Sequence, residues 1–207
     1  MKKKLISLTL AVVMIFSVSL AFAKTLETED SDYEHLAGTV VNATVGEYNA
    51  NTKTFTVTLY EDDCFDCEEV ARLAAGDTLL ADGRVYRVKE VTKDESGDIQ
   101  ITTENGEEMY FTQIGGENMA LRNINDDRRC MHAFAVLQLP AAEGIVYEDN
   151  SDPEKQDAAV TTGLEEILKI KAEKEETSIG FDYYATLIEL NGNLEIVRIH
   201  QDYDVAQ

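Results

Sequence analysis

Three cysteines and one histidine carry the side chains most suited to chemistry in this 207-residue chain. Cys64 and Cys67 form a C-x-x-C motif, and one residue separates Cys130 from His132. Two thiolates on one turn and two further groups on an extended strand could provide four zinc ligands. One hypothesis is therefore a metal site made of Cys64, Cys67, Cys130 and His132.

The same cysteines could instead form a disulfide, as is common in proteins of oxidising compartments. The candidate bonds join Cys64 to Cys67, or one of these two to Cys130. A bond to Cys130 would connect two distant segments and stabilise the fold by ~3 to 5 kcal/mol. Because the number of cysteines is odd, one thiol would stay free or pair with another molecule.

Catalytic uses of these residues are disfavoured. Six acidic residues surround the C-x-x-C motif and oppose formation of a reactive thiolate, namely Glu61, Asp62, Asp63, Asp66, Glu68 and Glu69. A nucleophile pair of Cys130 and His132 lacks both an orienting third group and a marked oxyanion hole. We therefore predict no catalytic residue.

Two arginines, Arg128 and Arg129, directly precede Cys130 in an acidic chain. Guanidinium groups bind carboxylates and phosphates through paired hydrogen bonds, so these arginines could hold such a ligand. The favoured interpretation is that they neutralise nearby acidic residues.

Calcium binding by the many carboxylates has little support in their spacing. The chain contains no EF-hand pattern, and Asp149-Asn-Ser-Asp152 is followed by Pro153 where a calcium loop needs another ligand. No cofactor is therefore predicted, and zinc and calcium are the two metals that the sequence leaves open.

The first 23 residues have the pattern of a secretory signal peptide. Three lysines precede an apolar run over residues 5–20, and Ala21-Phe22-Ala23 fits the small-x-small cleavage rule. A retained membrane anchor is the alternative, but a polar, acidic segment follows the cleavage motif. We expect cleavage after Ala23 and secretion, from a bacterium because the signal is short and begins with lysines.

The composition is strongly acidic. The chain has 18 Lys+Arg and 40 Asp+Glu residues, and its formal net charge is −22. Removal of residues 1–23 takes away three lysines and no acid, which leaves 15 basic residues and a charge of −25. Such a chain repels nucleic acid and anionic membranes, so neither is an expected partner.

The strongest structural signal is a β-hairpin over residues 76–91, with a turn at Asp82-Gly83. Asp-Gly and Asn-Gly between apolar runs favour two-residue turns in which glycine has a positive φ. Asn105-Gly106 and Asn191-Gly192 predict two more hairpins of this kind.

Three further strands are predicted. Residues 38–48 and 54–60 flank a turn, and the second run alternates strictly between apolar residues and threonines, which predicts a half-buried strand. Residues 131–139 form an apolar run that predicts a strand buried on both faces, which would close the sheet. Tyr183-Tyr184 is interpreted as strand packing.

Two helices are predicted. Asp66 and Glu69 form a variant of the capping box before a short apolar stripe. Thr162 and Glu165 form a second capping box, which predicts a helix over residues 163–175. A strand in that segment is the alternative, because part of it alternates.

Short strands joined by these turns, with one short inserted helix, predict a mainly β (α+β) fold. The expected architecture is a small antiparallel β-barrel or strongly bent sheet, with a C-terminal helix and β-hairpin packed on it. The expected divisions are a signal peptide at 1–23, a disordered acidic lead-in at 24–35, a β-barrel-like domain at 36–147, a linker or exposed loop at 148–160, and the C-terminal helix and hairpin at 161–207.

The function is predicted only as a class. We expect an exported, non-catalytic acidic β module that binds an extracellular protein or glycan or has a structural role, with residues 61–69 and 123–132 as its contact surface. The alternative is a metal-binding or thiol-based activity centred on Cys64, Cys67, Cys130 and His132. The chain contains no P-loop, H-E-x-x-H or G-x-S-x-G motif.

Overall fold

The computed structural model describes residues 30–93, 98–152, 154–155, 157–177 and 180–202. The chain divides into two compact units, Met1–Glu34 and His35–Gln207. The predicted signal peptide and the first part of the acidic lead-in lie outside the described residues. The rest of that lead-in differs from the expected disorder, because Asp30–Leu36 forms a 3₁₀ helix.

The described residues are mainly β, as predicted. The twelve strands among them are β1 (Val40–Asn49), β2 (Thr54–Asp62), β3 (Cys64–Asp66), β4 (Thr78–Ala81), β5 (Arg84–Lys93), β6 (Ile99–Thr103), β7 (Glu108–Gly115), β8 (Asn118–Asn123), β9 (Met131–Asp149), β10 (Ala159–Thr162), β11 (Thr186–Leu190) and β12 (Ile196–Gln201). The two α-helices are α1 (Cys67–Arg72) and α2 (Leu164–Thr177). No described helix is both long and apolar enough to span a membrane.

The first sheet curls around the long strand β9. From β9 the order runs through β12, β11, β1 and β2, and β2 pairs with β9 again. The remaining strand, β10, also pairs with β9. The β9–β12 pair is parallel, whereas the other pairs in this sheet are antiparallel. This arrangement confirms the predicted barrel-like or strongly bent sheet.

Strand β9 takes part in both ends of this sheet because it changes partner along its length. It pairs with β2 as far as Pro140 and with β12 from Ala141 onward. The register with β12 is irregular between Ala141 and Val146, where Gly144 has φ +78°. Glycine adopts this left-handed backbone without a steric cost, so Gly144 permits the irregularity.

Strand β2 shows how the sequence pattern builds the core. Phe55, Val57 and Leu59 are fully buried, and the threonines between them are half-buried, which confirms the predicted alternation. The other strands of this sheet contribute further buried side chains, among them Ala43, Val45, Ile145, Tyr147, Ile188, Leu190, Ile196 and Ile199.

The predicted strand at 131–139 exists, but it is not buried on both faces. Val136 is 58% exposed, while Ala135 and Leu139 are buried. One face of this part of β9 points to the sheet interior and the other to solvent. The apolar run without clear alternation therefore did not predict which side chains are buried. Its pairing with β2 does close the sheet.

The C-terminal hairpin is part of the same sheet, because β11 pairs with β1 and β12 pairs with β9. The predicted linker at 148–160 therefore connects strands of one sheet. Helix α2 confirms the predicted helix over the alternative strand. Thr162 is a strand residue paired with Val146, and Gly163 lies between it and the helix, so Thr162 is not the helix cap.

Residues 64–123 lie between β2 and β9 in the sequence and form the second sheet, in the order β3-β8-β7-β6-β5-β4. Helix α1 begins as predicted, since Asp66 accepts hydrogen bonds from the N–H groups of Glu68 and Glu69 at 2.8 and 3.1 Å. This sheet has its own core, which includes Val70, Leu79, Val88, Ile101, Met109, Phe111 and Leu121.

The hairpin of β4 and β5 has the predicted two-residue turn. Ala81 pairs with Arg84, and Asp82 and Gly83 have φ of 51° and 65°. Both turn residues are thus left-handed, as a turn that matches the strand twist requires.

The two Asn-Gly turns are not the predicted two-residue type. Thr103 donates its N–H to the carbonyl of Glu107, so the first loop has three residues, and Gly106 supplies its positive φ. Asn191 likewise bonds to Glu195, and the positive φ of that loop lies at Leu194. The strand pairing leaves longer loops than the two-residue turn that an Asn-Gly dipeptide favours locally.

Candidate functional site

The structure does not bring the predicted cysteine–histidine set together as a metal site. Cys64 is exposed in β3, Cys67 begins α1, and Cys130 is buried just before β9. All three are free thiols in this structure, and the cysteine pairing stays a prediction. The described part of the chain has no group of three or more His, Cys, Asp or Glu side chains that could hold a metal ion. Zinc and calcium binding stay predictions.

Two of the thiols have pKa values that keep them protonated. Burial, with Asp82 and Asp63 as further causes, raises the pKa of Cys130 to about 12. Desolvation and the nearby Asp62 raise the pKa of Cys64. The thiolate is the reactive and metal-binding form of cysteine, so neither residue is activated.

His132 lies between two carboxylates. Its Nδ1 is 2.8 Å from Asp63 Oδ1, and its Nε2 is 3.1 Å from Glu61 Oε1. Asp63 is only 8% exposed, and its other oxygen accepts a hydrogen bond from the N–H of Asp82 at 2.6 Å. His132 therefore orients the carboxylate that holds the β4–β5 turn, and neither of its nitrogens is left for a thiol.

That turn forms one side of a cleft of about 240 Å³. We call it the arginine–tyrosine cleft and define it by Arg84, Tyr86, Glu107, Arg128, Arg129 and Tyr184. Strand β5 provides the first two residues, and the segment before β7 provides Glu107. The loop after β8 provides the two later arginines, and the turn before β11 provides Tyr184.

Positive and negative groups are balanced in this cleft. Three of the seven arginines of the chain line it, together with the carboxylates of Asp82, Glu107 and Asp126. Arg128 is 2.9 Å from Asp126, and Arg129 is 2.7 Å from Asp62, which lies outside the lining.

The charges of Arg84 and Glu107 are less tightly held. The Nε of Arg84 is 4.0 Å from Asp82, and the Arg84 side chain is 67% exposed. Glu107 has no side-chain hydrogen bond or ion pair to any residue that the structure describes. The cleft thus offers a guanidinium and a carboxylate for a bound molecule.

Tyrosine side chains lie beside these charges. Tyr183 stacks on Tyr60 at 4.0 Å between ring centroids and donates its hydroxyl to Asp82 at 3.3 Å. The guanidinium of Arg128 lies 4.3 Å from the ring centre of Tyr184, a cation–π arrangement. Tyr183 and Tyr184 precede β11, so their predicted place in a strand is wrong.

A second hollow of about 510 Å³ lies at the β1–β2 turn, but its polar groups bind one another. The amide of Gln138 accepts from Thr54 at 3.1 Å and donates to Thr56 at 2.8 Å. No arginine or lysine lines it. The smaller cleft is therefore the better candidate for specific binding.

Sequence reasoning found only part of this site. It placed residues 123–132 on a contact surface and noted Arg128 and Arg129, but it missed Arg84, Glu107 and Tyr86. The available signal was the scarcity of arginine in an acidic chain, which makes each arginine informative.

Comparison of the chain with protein-family models, with curated proteins and with solved structures finds no match.

Proposed function

We propose that this protein is an exported, non-catalytic binding module that holds a carboxylate-bearing ligand in the arginine–tyrosine cleft. The observation that carries the proposal is the collection of three of seven arginines in one small cleft of a chain with net charge −22. An acidic protein repels anions at long range, so an anion needs guanidinium donors close at hand, and this cleft provides three beside its own carboxylates.

Arginine suits a carboxylate ligand because its planar guanidinium donates paired hydrogen bonds. Arg84 is exposed and only loosely paired with Asp82. Arg129 uses its Nη1 for Asp62, and a guanidinium has five N–H donors. These two residues can therefore bind a ligand oxygen while their present ion pairs remain.

The surroundings of the cysteines and the histidine support a non-catalytic role. The pKa of Cys130 is raised to about 12, so the thiol in the cleft is not a nucleophile at neutral pH. The ionic lining favours a carboxylate from a protein or its breakdown products over a neutral glycan. The signal pattern of residues 1–23 supports export, and the acidic charge disfavours nucleic acid and anionic membranes as partners.

The metal-binding or thiol-based activity of Cys64, Cys67, Cys130 and His132 stays the alternative, and no contact among the described residues favours it.

The test uses the secreted protein and two probes that differ by one charge, N-acetyl-L-leucine and N-acetyl-L-leucinamide. We expect saturable heat in calorimetric titration with the acid and much weaker binding of the amide, with both probes recovered intact. Mass spectrometry should show a chain that begins at Lys24. Equal binding of the two probes would refute the carboxylate site, and hydrolysis of either would refute the non-catalytic assignment.

Matched arginine variants locate the binding. Arg84→Gln should weaken binding of N-acetyl-L-leucine at least about tenfold, since a hydrogen bond to a charged group contributes ~1.5 to 3 kcal/mol. Arg87→Gln is the control, because Arg87 is on the same strand but pairs with Glu104 outside the cleft. Similar losses in both variants would place the ligand elsewhere.

A further inference from the structure

We propose that the ligand of the arginine–tyrosine cleft is a zwitterion, a free α-amino acid with an apolar side chain. This inference rests on the proposed function of the cleft as a carboxylate site. It adds a second recognised group, the ligand ammonium, and assigns Glu107 to bind it.

Glu107 is the carboxylate of the lining whose side chain has no partner among the described residues. The other two acids of the lining have partners, since Asp126 pairs with Arg128 and Asp82 accepts the Tyr183 hydroxyl. The negative charge of Glu107 is instead a cause, second to burial, of the raised pKa of Tyr86. A ligand cation beside Glu107 would compensate this charge, which an anion without an ammonium group cannot do.

Arg84 provides the complementary charge in the same cleft. The side chains of Arg84 and Glu107 both line the cleft, and the two form no ion pair. A small molecule that carries an ammonium and a carboxylate on one carbon matches a guanidinium and a carboxylate that line one small cleft without pairing. A peptide terminus carries only one of these charges, and its chain would need an exit from the cleft.

The volume of the cleft and its inner lining determine which side chain the ligand can carry. A volume of about 240 Å³ is below the range of ~300 to 1,000 Å³ typical of sites for drug-sized molecules. Met109, Cys130 and the ring of Tyr86 are buried in its lining and carry no charge at neutral pH. These residues offer no partner to a charged ligand side chain, which would lose hydration beside them, whereas an apolar side chain needs no such partner.

The test compares L-leucine with two of its derivatives by calorimetric titration of the intact secreted protein. L-leucine carries both charges, N-acetyl-L-leucine lacks the ammonium, and L-leucinamide lacks the carboxylate. We expect L-leucine to bind about tenfold or more tightly than either derivative, because each lost partner leaves one charged group of the cleft without its hydrogen bond. L-leucine should also slow alkylation of Cys130 in the cleft.

The variant Glu107→Gln separates the ammonium contact from the carboxylate contact. This variant should bind L-leucine only as tightly as it binds N-acetyl-L-leucine. Its affinity for N-acetyl-L-leucine should equal or exceed that of the unmodified protein. Glu104→Gln is the control, since it removes a carboxylate three residues away that pairs with Arg87 outside the cleft.

The outcomes distinguish this inference from the proposed function. Binding of N-acetyl-L-leucine equal to or tighter than L-leucine would overturn the zwitterion while the carboxylate site stands. Failure of both to bind would overturn the two proposals together. Tight binding of L-leucine that Glu107→Gln does not change would overturn the role of Glu107.

Discussion

Asp63 is the side chain that connects the chemistry-bearing residues of the sequence to the cleft. It is buried, binds His132 with one oxygen and holds the Asp82 N–H with the other. A buried carboxylate is stable only with such partners, so His132 acts through Asp63 on the turn that carries Asp82 and Arg84. Both ring nitrogens of His132 lie within hydrogen-bond distance of carboxylates, so its described contacts are to Asp63 and Glu61 and not to the thiol of Cys130.

At the same scale, the three thiols should differ in reactivity. We expect iodoacetamide to modify Cys64 first, then Cys67 and finally Cys130, in the order of decreasing exposure. The rate at Cys130 should rise about tenfold per pH unit through the neutral range, because the thiolate reacts and the pKa of Cys130 is raised to about 12. Peptide mass spectrometry at timed intervals measures each rate. Fastest modification of Cys130 would contradict its burial.

Asp82 should make stability depend on pH in an unusual direction. Burial raises the pKa of its carboxyl, although Arg84 opposes this. The folded state then binds the proton more tightly than the unfolded state, so the contribution of Asp82 to stability falls as pH rises above ~3.9, the ordinary carboxyl pKa. The substitution Asp82→Asn keeps an acceptor for the Tyr183 hydroxyl and removes the loss of stability that Asp82 causes as the pH rises.

The melting temperature of Asp82→Asn relative to the unmodified protein should therefore increase between about pH 3 and pH 7. Glu143→Gln, at an exposed position in β9, controls for the loss of one negative charge elsewhere. A difference for Asp82→Asn that stayed constant or shrank over this range would show that the half-buried carboxyl of Asp82 is not the cause.

At the scale of elements, local signals predicted the strands well and the loops less well. Asp82-Gly83 forms its two-residue turn because the flanking register places Ala81 opposite Arg84. The Asn105-Gly106 dipeptide has an equally strong local preference, yet the pairing of Thr103 with Glu107 leaves three residues to the loop. Loop length is set by strand register, which depends on long-range contacts.

The close approach of β1 and β2 gives a prediction at this scale. A Cβ at Gly46 would lie 2.9 Å from the carbonyl oxygen of Thr56, beside an irregularity in the β1–β2 register. Gly46→Ala should destabilise the protein by ~1 to 3 kcal/mol, because the strands must move apart. Gly192→Ala is the control, with open space around its Cβ and an expected change within ~0.5 kcal/mol. Urea unfolding of both variants measures the difference, and similar values would contradict the contact.

At the scale of the whole molecule, the second sheet is an insertion between two paired strands of the first. Residues 64–123 leave after β2 and return before β9, and the Asp63 N–H bonds to the carbonyl of Cys130 at 3.0 Å. Residues 35–207 accordingly form one compact unit. The arginine–tyrosine cleft draws its lining from both parts of this unit.

This arrangement predicts a single unfolding transition for the two cores. Leu59→Ala in the first sheet and Leu121→Ala in the second should each cost ~2 to 5 kcal/mol, since both side chains are fully buried. Each should lower the midpoint of the same transition, followed by far-ultraviolet circular dichroism and by tyrosine absorbance. Two separate midpoints, or loss of only part of the signal in Leu121→Ala, would show that the sheets unfold independently.

The sequence alone determined the β class, the capped helix α1, the hairpin at Asp82-Gly83 and the alternating strand β2. Each depends on residues within a few positions of one another, so side-chain periodicity and turn chemistry are sufficient to predict it. The sequence also showed that arginine is scarce, but not where the arginines meet.

Only the tertiary structure decided the site. Arg84, Glu107, Arg128 and Tyr184 come from four separate segments, and no local pattern relates them. They meet because β9 closes the first sheet and the inserted sheet returns beside it, through pairings that link residues far apart in the chain. The buried Asp63 became important for the same reason, since its partners His132 and Asp82 lie 69 and 19 residues away in the sequence.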